Sequence, residues 1–205
     1  MDHFVRQSIH DYLGKLASTS PTPGGGAVAA LSLAQAAALL EMVVRISNKT
    51  ENEALAAVVV RAGTTIEKST HAARADELAF DKVMRAMRLP KTCPAEQESR
   101  KVIIESSCFE AAQVPLALLG NAAELIEDAH GVIDQVGDHL VSDMGIVAHL
   151  ARAAAESCRY TILINLKSIR DEARRKHCLE GISMQMERIK KAADFVVADT
   201  ERRLV

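Results

Sequence analysis

Two prolines and three glycines stand within Pro21-Thr22-Pro23-Gly24-Gly25-Gly26, the densest breaker cluster in the chain. The backbone has to turn there, because proline removes a donor and glycine does not hold a helix. Directly behind it runs AVAALSLAQAAALLEMVVRI, residues 27–46, apolar at nearly every position and built largely of small side chains. Its length and its Ala and Leu content predict a helix. A helix that is apolar on every face is expected to be buried on every face, which places this one at the centre of the fold.

The other segments read around it. Phe4, Val5, Ile9, Leu13 and Leu16 recur at three- and four-residue steps and predict an amphipathic helix ahead of the corner. After Ser47-Asn48-Lys49-Thr50 a long helical pattern runs from about Glu51 to Arg88 and stops at Leu89-Pro90. The next opens at Pro94, with Glu96 and Glu98 where the helix dipole favours acids, and continues to near Ala129 with a bend at Pro115. Gly131 and Gly137 mark a junction, beyond which helical patterns cover about 141–169 and 171–204. No segment alternates with the two-residue period of a strand. The prediction is an all-α, single-domain multi-helix bundle over residues 1–205, six or so helices around an Ala-rich centre.

Composition narrows the function classes. The chain is 48% hydrophobic and carries a net charge of −2, which excludes a disordered chain. Aromatic residues make up only 3%, without tryptophan. With no basic excess and so few rings to stack on bases, nucleic acid is not an expected partner. The most apolar stretch is interrupted by Ser32, Gln35 and Glu41, so no membrane span is expected. The first residues lack the apolar core of a signal peptide. Cys93, Cys108, Cys158 and Cys178 form no CxxC pair and read as reduced thiols of a cytoplasmic protein.

Few residues carry chemical signals. The glycines leave backbone N–H groups unobstructed at a helix start, where a carboxylate, a phosphate or the polar edge of a heterocycle would sit. The same corner equally serves as a tight turn between closely packed helices. No Gly-Lys-Ser/Thr follows, so it is not a nucleotide P-loop. Asp76 and Asp143 lie in otherwise apolar helical stretches, and desolvation there would raise their proton affinity into the range of a general acid or base. Asp143 reads equally as a helix cap. His130, Asp134 and Asp138 fall at four-residue steps, but Gly131 and Gly137 interrupt them, so a solvated face is expected and no metal. Lys167, Arg170, Arg174, Arg175 and Lys176, broken by Asp171 and Glu172, read as surface ion pairs.

Several of these segments, taken in order, resemble one family. Thr22-Pro23-Gly24-Gly25-Gly26-Ala27-Val28-Ala29-Ala30-Leu31 resembles the opening motif of the cyclodeaminase/cyclohydrolase family. That family includes the C-terminal domain of formiminotransferase-cyclodeaminase and stand-alone bacterial methenyltetrahydrofolate cyclohydrolases. Asp76-Glu77-Leu78-Ala79-Phe80, with Leu89-Pro90-Lys91 after it, is similar to the family's acidic helix and LPK turn. Val114-Pro115-Leu116, Ser142-Asp143, Asn165-Leu166 and Asp171-Glu172 resemble later motifs in the same register.

The resemblance implies a homodimer that binds a tetrahydrofolate derivative as substrate and needs no tightly bound cofactor. It implies Asp76 as the catalytic acid/base, with Pro23, Gly24, Gly25, Gly26, Asp143 and Asn165 lining the folate pocket. Formimino cyclodeamination and methenyl hydrolysis both need a group that takes one proton and returns another, so the choice between them stays open. Two departures favour an alternative, a non-catalytic helical dimer that keeps the fold. Arg74 stands where many relatives carry an acid, and a nearby guanidinium would favour ionised Asp76. The Ser47–Glu53 stretch is acidic where relatives are lysine-rich, which would attract a polyglutamate tail poorly. Among the aromatic residues, Phe4, Tyr12, Phe80, Phe109, Tyr160 and Phe195 are the candidates to stack on a pterin ring.

Overall fold

The computed structural model describes residues 7–49 and 52–205. Among them are six α-helices and no strand: α1 (Ile9–Leu16), α2 (Gly25–Ser47), α3 (Glu53–Met87), α4 (Pro94–Val132), α5 (Val141–Leu166) and α6 (Glu172–Leu204). The expected helices are all present, with ends shifted by a few residues. Phe4 and Val5 of the first helix lie outside the described residues.

Local chemistry sets most of the ends. Ser8, Asn52 and Asp171 each accept a hydrogen bond from a backbone N–H of the helix they precede, at 3.1, 2.8 and 3.0 Å. Pro94 opens α4 in the first turn, where its missing donor costs nothing. Between α2 and α3 the Asn48 side-chain oxygen accepts from the Asn52 backbone N–H at 2.7 Å, which closes a short turn. The helix α4 passes through Pro115 without a break. Arg203 of α6 ties down the α4–α5 connection, donating to the backbone oxygens of Ile133 and Val136 at 3.1 and 2.6 Å and pairing with Asp138 at 2.6 Å.

α2 packs against α3 and α5, and α4 against α3, α5 and α6. Leu33, Leu40, Leu118, Leu119, Leu125, Ile126, Met144, Ile162 and Ile189 are fully buried between them. Each contributes about 1.5–3 kcal/mol through removal from water. Alanines such as Ala30, Ala37, Ala62, Ala73, Ala123, Ala148 and Ala155 fill the helix contacts with no exposed surface. Their small side chains let backbones approach closely, which accounts for the Ala content of the sequence. The helices α2 and α4 are long and apolar enough to cross a membrane by composition, and each contributes part of this core.

One expectation fails. The helix α2 is not buried all round: Val28, Gln35, Ala38, Met42 and Ile46 form an exposed stripe at helical spacing. The helices packed on α2 leave one side of its circumference uncovered, and a run of small apolar residues hides from sequence which face that is. The exposed apolar side chains Ile9 and Leu13 of α1 extend the same surface, around a groove of 580 Å³ that Val28 and Leu31 also line.

Candidate functional site

The short α2–α3 turn sends α3 back along α2, so α3 reaches the start of α2 at about its Asp76 turn. There Asp76 faces Gly26 so closely that a Cβ on Gly26 would overlap its carboxyl group. The third glycine of the breaker cluster is therefore fixed by the acid opposite it. This corner opens into a cavity of 440 Å³ at one end of the bundle. Its walls come from the glycine corner, from Asp76, Phe80, Val83, Met84 and Met87 of α3, from Cys108 and Ala111 of α4, and from the last turns of α5.

The wall chemistry is divided. Phe80, Val83, Met84, Met87 and Ile164 make a largely apolar surface, suited to a flat ring system. Polar groups converge at the other side. The helix α2 starts at Gly25 behind an extended Gly24 whose missing side chain provides no cap, so the first-turn N–H groups are left for a ligand or water. Asn165 donates its amide N–H to the backbone oxygen of Thr161 at 2.8 Å, which fixes the orientation of its carboxamide.

Burial pushes the Asp76 carboxyl above the ordinary carboxylate range, and the negative charge of Glu77 pushes it further. The expected direct influence of Arg74 on Asp76 is not what the geometry provides. Arg74 turns instead to Glu77, with its guanidinium 2.6 Å from the Glu77 carboxylate. Behind Asp76, the thiol of Cys158 is pushed up to about 12 by burial and by the Asp76 charge, so it stays protonated and unreactive. All four cysteines are free thiols.

The structure brings together Asp76, Gly24, Gly25, Gly26 and Asn165 as the sequence anticipates. Pro23 is buried behind the corner, joined to Thr22 by a cis peptide bond, and Pro21 and Thr22 line the cavity in its place. Asp143 is not at this cavity. It sits in the first turn of α5, 22 residues before Asn165 on one continuous helix, a separation of about 33 Å at 1.5 Å per residue. It is not the cap of α5 either, since Leu140 occupies that position. The Ser47–Glu53 stretch, of which Thr50 and Glu51 lie outside the described residues, follows the far end of α2 and does not face this cavity.

Of the aromatic candidates, Phe80 alone lines the cavity. Phe109 lies under the Arg174 guanidinium at 4.6 Å, and Phe195 packs on His130 at 4.3 Å. Tyr160 is 65% exposed, and Phe4 lies outside the described residues. No group of histidine, cysteine or carboxylate side chains able to hold a metal occurs among the described residues.

Lys167 and Ser168 join the cavity because α5 ends there, which turns Lys167 from an expected surface ion-pair residue into a wall cation. Met84 and Met87 belong to the same wall. Only the three- and four-residue steps Phe80, Met84 and Met87 point to them, and those steps are equally those of a core face.

A profile of the formiminotransferase-cyclodeaminase family matches residues 8–184. A methenyltetrahydrofolate cyclohydrolase from Methylorubrum extorquens is 33% identical over 172 residues, covering 82% of this chain and 83% of that protein. The formimidoyltransferase-cyclodeaminase of Sus scrofa is 28% identical over 204 residues, and this chain spans 38% of its length. The crystal structure of a formiminotetrahydrofolate cyclodeaminase from Thermotoga maritima shares 28% identity and a TM-score of 0.88, over 98% of both chains.

Proposed function

The chain belongs to the formiminotransferase-cyclodeaminase family, and from that premise we propose that it works in one-carbon folate metabolism, making or opening the methenyl bridge of a tetrahydrofolate. The placement of Asp76 carries this reading: a carboxyl of raised proton affinity stands against the open first turn of α2, facing an apolar wall across the cavity.

In cyclodeamination, one folate nitrogen attacks the carbon of the formimino group on its neighbour. That nitrogen loses a proton, the departing amine gains one, and ammonia leaves. Asp76 takes the first proton and returns it at the second site. In hydrolysis of the methenyl cation, water adds to the same carbon and gives up a proton, a ring nitrogen is protonated as its bond to that carbon breaks, and the remaining hydroxyl proton passes to solvent to leave a formyl group. One acid in one position serves both sequences. The pterin lies along Phe80, Val83 and Met84, with its polar edge toward Gly25, Gly26 and Asn165. Incubation with formimino- and methenyl-tetrahydrofolate, followed by methenyl absorbance, tests the proposal and separates the two reactions. No change with either substrate refutes it.

The working unit in this proposal is a homodimer. The exposed stripe of α2, continued by Ile9 and Leu13, is the apolar surface that a second copy covers. Antiparallel pairing of two such stripes sets the Asp143 end of each α5 near the glycine corner of the other copy, which brings Asp143 to a pocket. Mixing inactive Asp76→Asn and Asp143→Ala chains tests this arrangement, since complementation restores one complete site per mixed dimer.

A further inference from the structure

Among the described residues, Glu77 is the buried carboxylate beside the proposed acid, and it has no part in the proton transfers described above. It is 9% exposed, neighbours Asp76 on α3, and is paired with Arg74 at 2.6 Å. Arg74 is 41% exposed on its side chain, and a half-exposed pair of this kind adds little to stability because solvent screens its attraction. It does set the electrostatic field around anything close by, and Asp76 is its neighbour.

We propose that the Glu77–Arg74 pair is a positioning unit that sets the pH at which Asp76 releases its proton. Two opposed charges act on Asp76 in this arrangement. The Glu77 carboxylate opposes a second negative charge next to it, and the Arg74 guanidinium moderates that opposition. The other groups around Asp76 do not serve this purpose. Beside Glu77 stands Tyr12 of α1, whose hydroxyl is pushed up by burial and by the Glu77 charge and so stays neutral. From α2 comes only the backbone at Gly26. From α4 comes Cys108, and from α5 come Cys158, protonated, and Lys167 at the cavity wall. The Glu77–Arg74 pair is the charged element that substitution can make more positive or more negative without touching the cavity wall.

The inference takes Asp76 as the acid of the proposed reaction, but its test needs no turnover. Selective ¹³C labelling of aspartate carboxyls, with Asp76 assigned by comparison with Asp76→Asn, reads the Asp76 titration midpoint in the ligand-free protein. Glu77→Gln keeps the shape and removes the charge, and the midpoint moves down. Arg74→Gln leaves the Glu77 charge uncompensated, and the midpoint moves up. Glu77→Asp keeps the charge while disturbing the packing, and it holds the midpoint closer to wild type than Glu77→Gln does. A purely structural role makes Glu77→Asp and Glu77→Gln behave alike, which overturns the proposal. An unmoved midpoint in Glu77→Gln, or shifts of one sign in Glu77→Gln and Arg74→Gln, overturns it too. If titration moves as stated while neither folate is turned over, the enzymatic reading fails and the electrostatic one stands.

Discussion

Gly26→Ala is the sharpest probe of the site, because one methyl group separates a working geometry from a blocked one. The added Cβ would lie inside the Asp76 carboxyl, so the carboxyl has to swing away. Ordinary contact between the two requires a displacement of about 1 Å, and a misplacement of that size costs about 100-fold in rate. That factor corresponds to about 2.7 kcal/mol in the activation barrier. The helix itself does not suffer: alanine is favoured over glycine in a helix by about 0.5–1 kcal/mol. The expected result is a kcat lowered about 100-fold at saturating substrate, with unchanged helicity by circular dichroism and a melting temperature at or slightly above wild type. Adding Gly26→Ala to an Asp76→Asn background should then cost little more, since both changes disable one group. A kcat within about two-fold of wild type, in a folded protein, contradicts the contact between Gly26 and Asp76 as the determinant of geometry.

Other substitutions test separate parts of the argument. Asp76 has its proton affinity raised in the fold, so the native state binds a proton more tightly than the unfolded chain does. Its contribution to stability is therefore present at acid pH and is lost as pH rises through the folded midpoint. Asp76→Asn should accordingly raise the melting temperature at pH 7, by more than it does at pH 4, while abolishing most activity; equal effects at both pH values refute the raised affinity. Arg203→Met removes the bonds to Ile133, Val136 and Asp138 and takes the side-chain donor from the Val136 carbonyl, while Ile133 keeps the Val136 backbone N–H. A loss of about 2 kcal/mol is expected. That is about 4–8 °C in melting temperature for a domain of this size, and calorimetry checks it. Met42→Glu places a charge in the exposed stripe of α2 and should convert the proposed dimer to a monomer by sedimentation at micromolar concentration, with helicity retained; a wild-type monomer under the same conditions refutes the pairing.

The fold was legible because its signals are local. Breakers at Pro21–Gly26, Pro90 and Gly137, apolar steps such as Leu55, Val59 and Ile66, and caps at Ser8, Asn52 and Asp171 each act within a few residues, and each can be read without knowing a neighbour. Asp76 was legible for a different reason, as an acid in an apolar stretch within an ordered series of family motifs. Its partner Glu77 was not, because the next residue on a helix points elsewhere and only the packed neighbours decide which of two acids is buried. Lys167 reached the cavity because α5 ends there, and no periodicity records where a helix end comes to rest. Asp143 shows the opposite failure. Motif order carried it into the pocket, yet its own helix holds it about 33 Å from Asn165. One-dimensional order conveys which motifs occur together and says nothing of how far apart one helix holds them.

Two influences meet on Asp76 at the glycine corner and pull in opposite directions. A helix N-terminus carries a partial positive charge and favours the ionised acid by about 0.3–1 kcal/mol, more where partly buried. Burial and the Glu77 charge favour the neutral acid, and they prevail, since the carboxyl is displaced upward. An acid held only by burial would keep its proton and never act as a base. An acid held only by the helix start would stay ionised and have no proton to return. A shuttle needs both states within reach at one pH, which calls for opposed influences on a single carboxyl, here the helix start on one side and burial with Glu77 on the other. The absence of a side chain at Gly26 is what lets the helix start approach closely enough to take part. Glycine at this position is thus an electrostatic requirement as well as a steric one.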